Sequence, residues 1–237
     1  MSSADERRTG RLARYDELRA ERPALFHNPP GAPIEILFDR AAQDDVADRS
    51  AAKLREQGHP EEYGDMGVVY EDAYYIAVRD AVRFRDGHTG PYIRLIGRQA
   101  GDGAIILPVL ADGRVLLLRQ FRHAVRDWQW EIPRGFAEPG DAGPATAIRE
   151  LQEETGITVE TVELIGRLAA EGDGIEVYLA RLDREPDLRP AGDAAVEGID
   201  EYRLVTPDEL ADMIAAGRVT DEYFLAAYAI AVAKRLL

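Results

Sequence analysis

Three glutamates crowd one short stretch of the sequence. Arg149 immediately precedes Glu150, and Glu153 and Glu154 follow about one helical turn later. On an α-helix, residues three and four positions apart share a face, so these carboxylates would repel one another. They would also lie near the C-terminal end of the helix, where the dipole disfavours negative charge. Mg²⁺, Mn²⁺ and Ca²⁺ prefer carboxylate oxygen, and a cation of this kind would neutralise the cluster.

A second interpretation needs no metal. Arg-Glu strings are common on exposed helices, and Arg149 can pair with Glu153 four residues further on. Such a surface pair contributes only a few tenths of a kcal/mol, roughly, to stability. For the glutamates alone, the solvated acidic face is the simpler explanation, so the surrounding residues must decide.

The surrounding residues predict the helix itself. Pro144, preceded by glycine and aspartate, favours a helix start, and Gly156 suits its end. Ala147, Ile148 and Leu151 would share an apolar face. We therefore predict a helix near 144–155 that buries one side and presents the acids on another.

The wider spacing resembles the Nudix box, G-x5-E-x7-R-E-U-x-E-E-x-G-U, in which U is aliphatic. The matching positions of residues 135–157 are Gly135, Arg149, Glu150, Leu151, Glu153, Glu154, Gly156 and Ile157. Asp141 stands where the family has Glu. The resemblance implies an α/β (α+β) fold, a Nudix α/β/α sandwich with a mixed sheet. It also implies hydrolysis of a nucleoside diphosphate linked to some group X.

The resemblance also assigns roles within the box. Glu150 and Glu154 would be the principal ligands of Mg²⁺ (or Mn²⁺), with Glu153 ligating the metal or assisting catalysis. The backbone carbonyl of Arg134 would be a further ligand, and Arg149 would orient the acids. Bound metals would polarise the phosphoryl oxygens and lower the pKa of a bound water. They would also draw an anionic substrate to a protein that otherwise repels it.

Sequence outside the box resembles the ADP-ribose pyrophosphatase and nucleoside-diphosphate-sugar hydrolase group. The likeness covers about residues 66–237 and is carried upstream of the box by 115–122 and 130–133. It implies substrate contacts for Arg122, Glu131 and Arg119, and the planar fork of Arg122 suits a phosphate. For Arg122 and Glu131 the alternatives are a surface arginine and an edge-strand charge.

This group often takes its catalytic base from an acidic loop after the box. Residues 193–201 fit such a loop, and Glu197 is our choice of base. Glu201 and the acids of 171–173 compete for the role.

Two departures weaken ADP-ribose as the specific substrate. Arg134 stands where this group usually has a small residue. The proline that marks ADP-ribose enzymes beyond the box is missing, since no proline occurs between Ile157 and Pro186.

Three regions are predicted along the chain. Residues 1–62 are predicted to form a helix-strand-helix N-terminal extension, and residues 66–100 an N-terminal antiparallel β region. Residues 101–237 are predicted to form the Nudix hydrolase domain. From the resemblance, a homodimer formed through 66–100 is expected. In the extension, helices are predicted near 11–21 and 45–57 and a strand at 33–39. Further strands are predicted at 68–70, 74–84, 91–96, 104–110, 115–118, 128–133, 162–168 and 175–182, and a capping box at Thr206 with Pro207 opens the C-terminal helices.

Composition restricts the remaining possibilities. The chain lacks cysteine, which excludes disulfides, thiolate metal sites and a cysteine nucleophile. With 44 acidic and 29 basic residues its net charge is −15, which opposes attachment to nucleic acid or an anionic membrane. No apolar stretch reaches membrane-spanning length and no signal peptide is apparent, so a cytoplasmic protein is expected. The four histidines are scattered without the spacing of a zinc site.

The sequence therefore predicts an enzyme acting on a small nucleotide substrate. Two alternatives remain open: a Nudix RNA-processing hydrolase (a cap hydrolase or 3′→5′ exoribonuclease) and a non-catalytic nucleotide sensor. Tyr74, Tyr75 and Trp128 are expected in the core or at an interface, with base stacking as the alternative.

Overall fold

The computed structural model describes residues 3–98, 103–138, 141, 143–169, 174–185, 187 and 193–237. The chain divides into two compact units, Met1–Arg98 and Gln99–Leu237. The predicted extension and the predicted β region thus fall within the first unit.

The first unit combines two helices with an antiparallel sheet. Its elements are α1 (Ser3–Glu21), β1 (Ile34–Ile36), α2 (Arg40–Glu56), β2 (Gly67–Glu71), β3 (Tyr75–Phe84) and β4 (Thr89–Gly97). Strand β3 pairs with β1, β2 and β4, so β4 forms one edge of the sheet. Both helices begin earlier than predicted. For α2 the reason is local, because the side chain of Asp39 caps the helix by accepting a hydrogen bond from the Ala42 amide.

Helix α1 is extended by tertiary ion pairs that its sequence does not reveal. Asp65 is fully buried and accepts hydrogen bonds from Arg7, Arg8 and Arg11, which lie on the first half of α1. Further along the helix, the Tyr15 hydroxyl donates to the buried Asp80. Breaking such pairs would leave a buried charge uncompensated, so they hold α1 in place.

Three aromatic residues do not lie in the core. Tyr74, Tyr75 and Trp128 are 75%, 42% and 43% exposed, so the expectation of core positions was wrong. Strand β3 begins only at Tyr75, and Tyr74 belongs to the preceding turn, where Asp72 accepts its amide hydrogen. A place at an interface stays a prediction.

The second unit contains a mixed sheet and four helices among its described residues. The strands are β5 (Gly103–Leu110), β6 (Val115–Arg122), β7 (Asp127–Glu131), β8 (Arg134–Gly135), β9 (Glu163–Leu168), β10 (Ile175–Leu182) and β11 (Ile199–Val205). The helices are α3 (Gly143–Thr155), α4 (Asp193–Val196), α5 (Pro207–Ala215) and α6 (Glu222–Ala233). The sheet order is β11-β6-β5-β10-β9, with β5 and β10 parallel and the other pairs antiparallel.

Two hydrophobic cores cover the two faces of this sheet. On β5, Ile105 and Leu107 face the core that contains residues of α5 and α6. Ala104 and Ile106 face the core that contains Ala147 and Leu151 of α3. A strand that is buried on both faces has a continuously apolar sequence, and β5 has such a sequence. The arrangement confirms the predicted α/β/α sandwich with a mixed sheet.

The C-terminal helices begin as predicted. Thr206 and Glu209 form the reciprocal capping box of α5, with Pro207 in the first turn. Asp221 caps α6 by accepting the Phe224 amide hydrogen. Helix α6 ends at Ala233.

The sheet divides in its middle. Strands β5 and β6 pair only at Val109 and Val115, next to their connecting turn. Beyond that point β7 pairs with β6, whereas β8 pairs with β5. The two arms, β6–β7 and β5–β8, carry the residues of the candidate site. In the described part of the chain, no helix is both long and apolar enough to cross a bilayer.

Candidate active site

Helix α3 presents two of its glutamates to the protein interior. Ala147 and Leu151 anchor the helix in one of the two cores, as its apolar periodicity predicts. Glu150 and Glu154, four positions apart, are 9% and 4% exposed. Carboxylates are rarely buried to this degree unless paired or bound to metal, so this pair needs a partner.

Strand β8 fits closely against both carboxylates. A Cβ atom added at Gly135 would overlap the carboxylate of Glu150, so only glycine leaves room for that side chain. One residue earlier, the backbone N–H of Arg134 donates to Oε2 of Glu154 over 3.1 Å. The glycine that opens the box and the acids that close it are therefore in direct contact.

Burial makes the two acids hard to ionise. Desolvation raises the pKa of Glu154 to about 8, and the nearby charges of Glu150 and Glu197 add to this effect. Desolvation also raises the pKa of Glu150. The hydrogen bond from Arg134 and the charge of Arg122 oppose the shift of Glu154 without cancelling it. A cation bound between the carboxylates would restore their ionised form.

Glu153 lies apart from this pair. Its carboxylate is 42% exposed and accepts a 2.8 Å hydrogen bond from Nη1 of Arg149. The same nitrogen is 2.8 Å from Oε1 of Glu150, and Nε of Arg149 is 3.5 Å from Oδ2 of Asp141. Arg149 thus touches three carboxylates, including the aspartate that replaces the family's glutamate. Among the described residues, no three acids or histidines converge as a metal site.

The donors nevertheless fit a hard divalent cation. Glu150 and Glu154 supply buried carboxylate oxygens, and Gly135 leaves the space that the Glu150 carboxylate occupies. Within the described part of the chain, no cationic side chain forms an ion pair with Glu154. Two carboxylates with carbonyl and water oxygens are a usual donor set for Mg²⁺.

Arg122 and Glu131 form a bidentate ion pair at the end of the β6–β7 arm. Nε of Arg122 donates to Oε1 of Glu131 over 2.6 Å, and its Nη2 donates to Oε2. Glu131 is fully buried, at the end of β7, which pairs with β6 only among the described strands. Alternation along β6 puts Arg122 on the same face as Leu116 and Leu118, which pack in the core that contains α3. The charge of Arg122 lowers the pKa of Glu154. The predicted substrate contacts of both residues stay predictions.

Arg119 lies on the other face of the sheet. Side chains three positions apart on a strand point to opposite sides, and Arg122 is on the side of α3. The guanidinium of Arg119 instead pairs with Asp200 at 2.9 and 2.6 Å and lies 5.1 Å from the Trp128 ring centre. The structure therefore does not bring Arg119 together with the acids of α3. The period of the strand could have shown this beforehand.

Glu197 lies between α4 and β11, exposed to solvent. Its charge raises the pKa of both Glu150 and Glu154. Nε2 of the buried Gln120 donates to its backbone carbonyl over 3.0 Å. The competing Glu201 instead faces Arg119 at 3.6 Å. The other competitors, at 171–173, lie outside the described residues.

Three further residues support the site and were missed in the sequence. Gln120 holds the Glu197 backbone, Asp221 pairs with Arg134 at 3.0 Å, and the Tyr202 hydroxyl donates to the backbone carbonyl of Glu154. Gln120 shares a strand face with Arg122, and that spacing could have identified it. No local signal marks the other two, because their partners are distant in sequence.

Comparisons with known proteins identify the family of this chain. A profile of the family described as NUDIX domain matches residues 100–228. The chain is 39% identical over 64 residues to an ADP-ribose pyrophosphatase of Bacillus subtilis, covering 27% of this chain and 35% of that protein. It is 32% identical over 151 residues to a methanol dehydrogenase activator of Bacillus methanolicus, covering 60% and 76%. It is 46% identical over 56 residues to an RNA pyrophosphohydrolase of Caulobacter vibrioides, covering 24% and 31%.

A solved structure shares the fold. The crystal structure of an ADP compounds hydrolase superposes with a TM-score of 0.58 at 17% identity, covering 71% of this chain and 90% of that one. The chain spans only about a third of the length of the ADP-ribose pyrophosphatase and RNA pyrophosphohydrolase relatives.

Proposed function

Because the chain belongs to the NUDIX domain family, we propose that it is a metal-dependent pyrophosphohydrolase. Its substrate would be ADP-ribose or another nucleoside diphosphate linked to X, and its products a nucleoside monophosphate and phosphorylated X. The observation that carries the proposal is the buried pair Glu150 and Glu154, which packs against strand β8 on the side of the sheet that also carries Arg122. The pyrophosphatase relatives support the same class of bond.

Different side chains and backbone groups have separate roles in the proposed reaction. Glu150, Glu154 and the backbone carbonyl of Arg134 would hold Mg²⁺ (or Mn²⁺). When bound, the cation polarises the phosphoryl oxygens and makes the attacking water more acidic. Arg122 would bind phosphate oxygens through Nη1 and the N–H of Nη2 that Glu131 leaves unused, since Nε and Nη2 already donate to Glu131 and fix the orientation of the guanidinium.

Proton transfer falls to Glu197. Water attacks one phosphorus, the bridging P–O bond breaks, and the water proton passes to a carboxylate. Glu197 is exposed, whereas Glu153 is already engaged by Arg149. Gln120 anchors the Glu197 backbone, and the Glu197 side chain is exposed to solvent. Glu153 and Arg149 would act by orienting Glu150.

RNA is the second candidate substrate. The observation in its favour is the likeness to an RNA pyrophosphohydrolase over 56 residues. The net charge of −15 weighs against it, because a groove that grips a strand should show clustered cations. A 5′-triphosphate end would need the acids of α3 but no long basic groove. A non-catalytic sensor would keep the same acids without turnover.

A homodimer is part of the proposal. In the first unit Tyr70, Tyr75, Ile93 and Leu95 are exposed, and the sheet ends at the unpaired edge of β4. Tyr70 and Leu95 both pair with Ala77 of β3, so they share a face of the sheet. An apolar face beside a free strand edge is suited to pairing with a second copy.

The test is a substrate panel with Mg²⁺. ADP-ribose, GDP-mannose, CDP-choline, NADH, a diadenosine polyphosphate and a 5′-triphosphorylated RNA are incubated with the protein, and phosphate is measured with and without added phosphatase. Turnover of a small substrate that Glu154→Gln abolishes and Glu160→Gln retains supports the proposal, since Glu160 is an exposed loop residue. Turnover of the RNA alone supports the second candidate. If no substrate of the panel is hydrolysed, both candidate functions are contradicted.

A further inference from the structure

Arg134 spans the gap between the two arms of the divided sheet. Its backbone belongs to β8, which pairs with β5. Its Nη2 lies 3.2 Å from Oε2 of Glu131, at the end of β7 on the other arm. The same nitrogen lies 3.0 Å from Oδ2 of Asp221, the capping residue of α6. The guanidinium therefore connects β8 with the end of β7 and with the start of α6.

The remaining contacts leave little freedom to the Arg134 side chain. Its Cζ lies 4.4 Å from the centre of the Tyr223 ring, in the first turn of α6. Its Nη1 is buried and has no hydrogen-bond partner among the described residues. An arginine that is stacked on an aromatic ring and paired with two carboxylates is held in one conformation.

Glu131 transmits this constraint to Arg122. Both oxygens of its buried carboxylate already accept hydrogen bonds from Arg122. If Arg122 were the only partner of Glu131, the ion pair would carry no net charge and would attract an anion only weakly. Arg134 brings a second positive charge to Oε2, so Arg122 keeps more of its charge for a phosphate.

Asp221 can accept Arg134 without losing its role in α6. Its Oδ1 accepts the Phe224 amide hydrogen over 2.8 Å, and Oδ2 faces Arg134. The N-terminus of α6 compensates part of the Asp221 charge. The two arginines and two carboxylates sum to zero formal charge, so the positive excess of this cluster is the partial charge that the N-terminus of α6 supplies.

The backbone of Arg134 meets the other half of the site. Its N–H donates to Glu154, and the next residue, Gly135, faces Glu150. Arg134 thus contacts Glu154 of α3 through its backbone and the arm of Arg122 through its side chain.

We infer that Arg134 is a positioning residue whose side chain fixes Arg122 relative to Glu150 and Glu154, and so sets the affinity of the site for a diphosphate. The inference rests on the proposed function for the identity of the ligand. A diphosphate that contacts both the acids, through a metal, and Arg122 requires the two arms at one separation.

A double-mutant cycle tests the inference by binding rather than turnover. Methylenediphosphonate, a non-hydrolysable pyrophosphate analogue, is titrated calorimetrically into the full chain with saturating Mg²⁺. We expect Arg134→Met and Arg122→Met each to weaken binding about tenfold, and the double variant to bind no more than about twofold worse than Arg122→Met. Such non-additivity shows that Arg134 acts through Arg122, which a general loss of stability would not produce.

Two further variants control for an effect of misfolding on the measured binding. Arg114→Met is the matched control, because Arg114 also pairs with two carboxylates, Asp112 and Glu185, and should bind the analogue as the unaltered protein does. Asp221→Asn keeps a good capping residue for α6 while removing the charge that Arg134 faces, and should weaken binding about threefold. If Arg134→Met fails to fold, the cycle is run with Asp221→Asn in its place.

Several outcomes would overturn the inference: unchanged binding in Arg134→Met, losses that multiply in the double variant, or no binding of the analogue by the unaltered protein. The proposed function fails separately, if the substrate panel shows no turnover. If the protein binds the analogue and the cycle is non-additive but no substrate is hydrolysed, the inference holds and the proposed function fails.

Discussion

At the scale of single residues, burial separates glutamates that are equivalent in the sequence. Glu153 and Glu154 are neighbours, yet only Glu154 turns toward β8 and the interior. Glu153 faces outward to Arg149. The buried acid carries the desolvation cost, so it gains most from a bound cation.

The first prediction compares these two neighbours. Glu154→Gln should abolish the rise in Tm that Mg²⁺ or Mn²⁺ produces, because the amide cannot supply a charged ligand. It should lower kcat by about a hundredfold or more, in the range of removing one electrostatic contributor. Glu153→Gln should retain most of the metal-dependent rise in Tm. Thermal unfolding with and without metal measures both, and equal loss in the two variants would contradict the assignment.

The second prediction concerns pH in the absence of metal. Burial raises the pKa of native Glu154 to about 8, whereas its ordinary value is 4.5. Between these values the native state holds a proton that the unfolded chain has released. The free energy of unfolding should therefore fall as pH rises from about 5 to 8, by up to about 1.4 kcal/mol per pH unit from this group.

Urea unfolding of the metal-free protein across this range measures the effect. Glu154→Gln should flatten the dependence, since the amide does not titrate, and Mg²⁺ should stabilise the unaltered protein more at pH 8 than at pH 6. A slope that is the same in both proteins would exclude Glu154 as its source.

At the scale of elements, the site depends on how α3 and β8 approach each other. The close approach is possible because Gly135 has no side chain, and the Glu150 carboxylate occupies that space. Leu151 and Ala147 fix the rotation of α3 about its axis, so the helix cannot withdraw without opening a core.

The third prediction is that Gly135→Ala impairs the site by displacing Glu150. The new methyl group would overlap the carboxylate, so metal affinity should fall about tenfold or more, the usual scale for a disturbed ligand shell. Gly10→Ala is the control, since α1 leaves open space around Gly10 and alanine should stabilise that helix by up to about 1 kcal/mol. Manganese titration of both variants distinguishes them, and unchanged affinity in Gly135→Ala would show that Glu150 can be displaced without cost.

At the scale of the whole molecule, charge and exposed surface set the partners. A net charge of −15 favours solubility and disfavours polyanions unless cations are bound. The metal would then serve both to attract the substrate and to activate it. The apolar face of the first unit is the complementary feature, because it favours association with a second copy.

The fourth prediction concerns that association. Leu95→Glu should shift the protein from dimer to monomer, because it places a charge in the middle of the exposed apolar face. Val232→Glu is the matched control, since the two side chains are 49% and 45% exposed and Val232 lies on α6 of the second unit. Light scattering coupled to size-exclusion chromatography gives both masses. A monomeric unaltered protein, or a dimer that survives Leu95→Glu, would contradict the proposal.

The sequence by itself determined the local features of this protein. The spacing of 135–157 specifies α3 with its acids, the apolar run of 104–110 specifies a strand buried on both faces, and the capping box at Thr206 specifies the start of α5. These features depend on periodicity and on backbone groups near in sequence, which a linear pattern records.

Only the tertiary structure decided which of the candidate residues meet. It buried Glu131 against Arg122, carried Arg134 across the gap between the arms, and paired Arg119 with Asp200. It also turned Glu154 inward and Glu153 outward. Contacts of this kind join residues from separate elements, and a linear pattern does not record how those elements pack against one another.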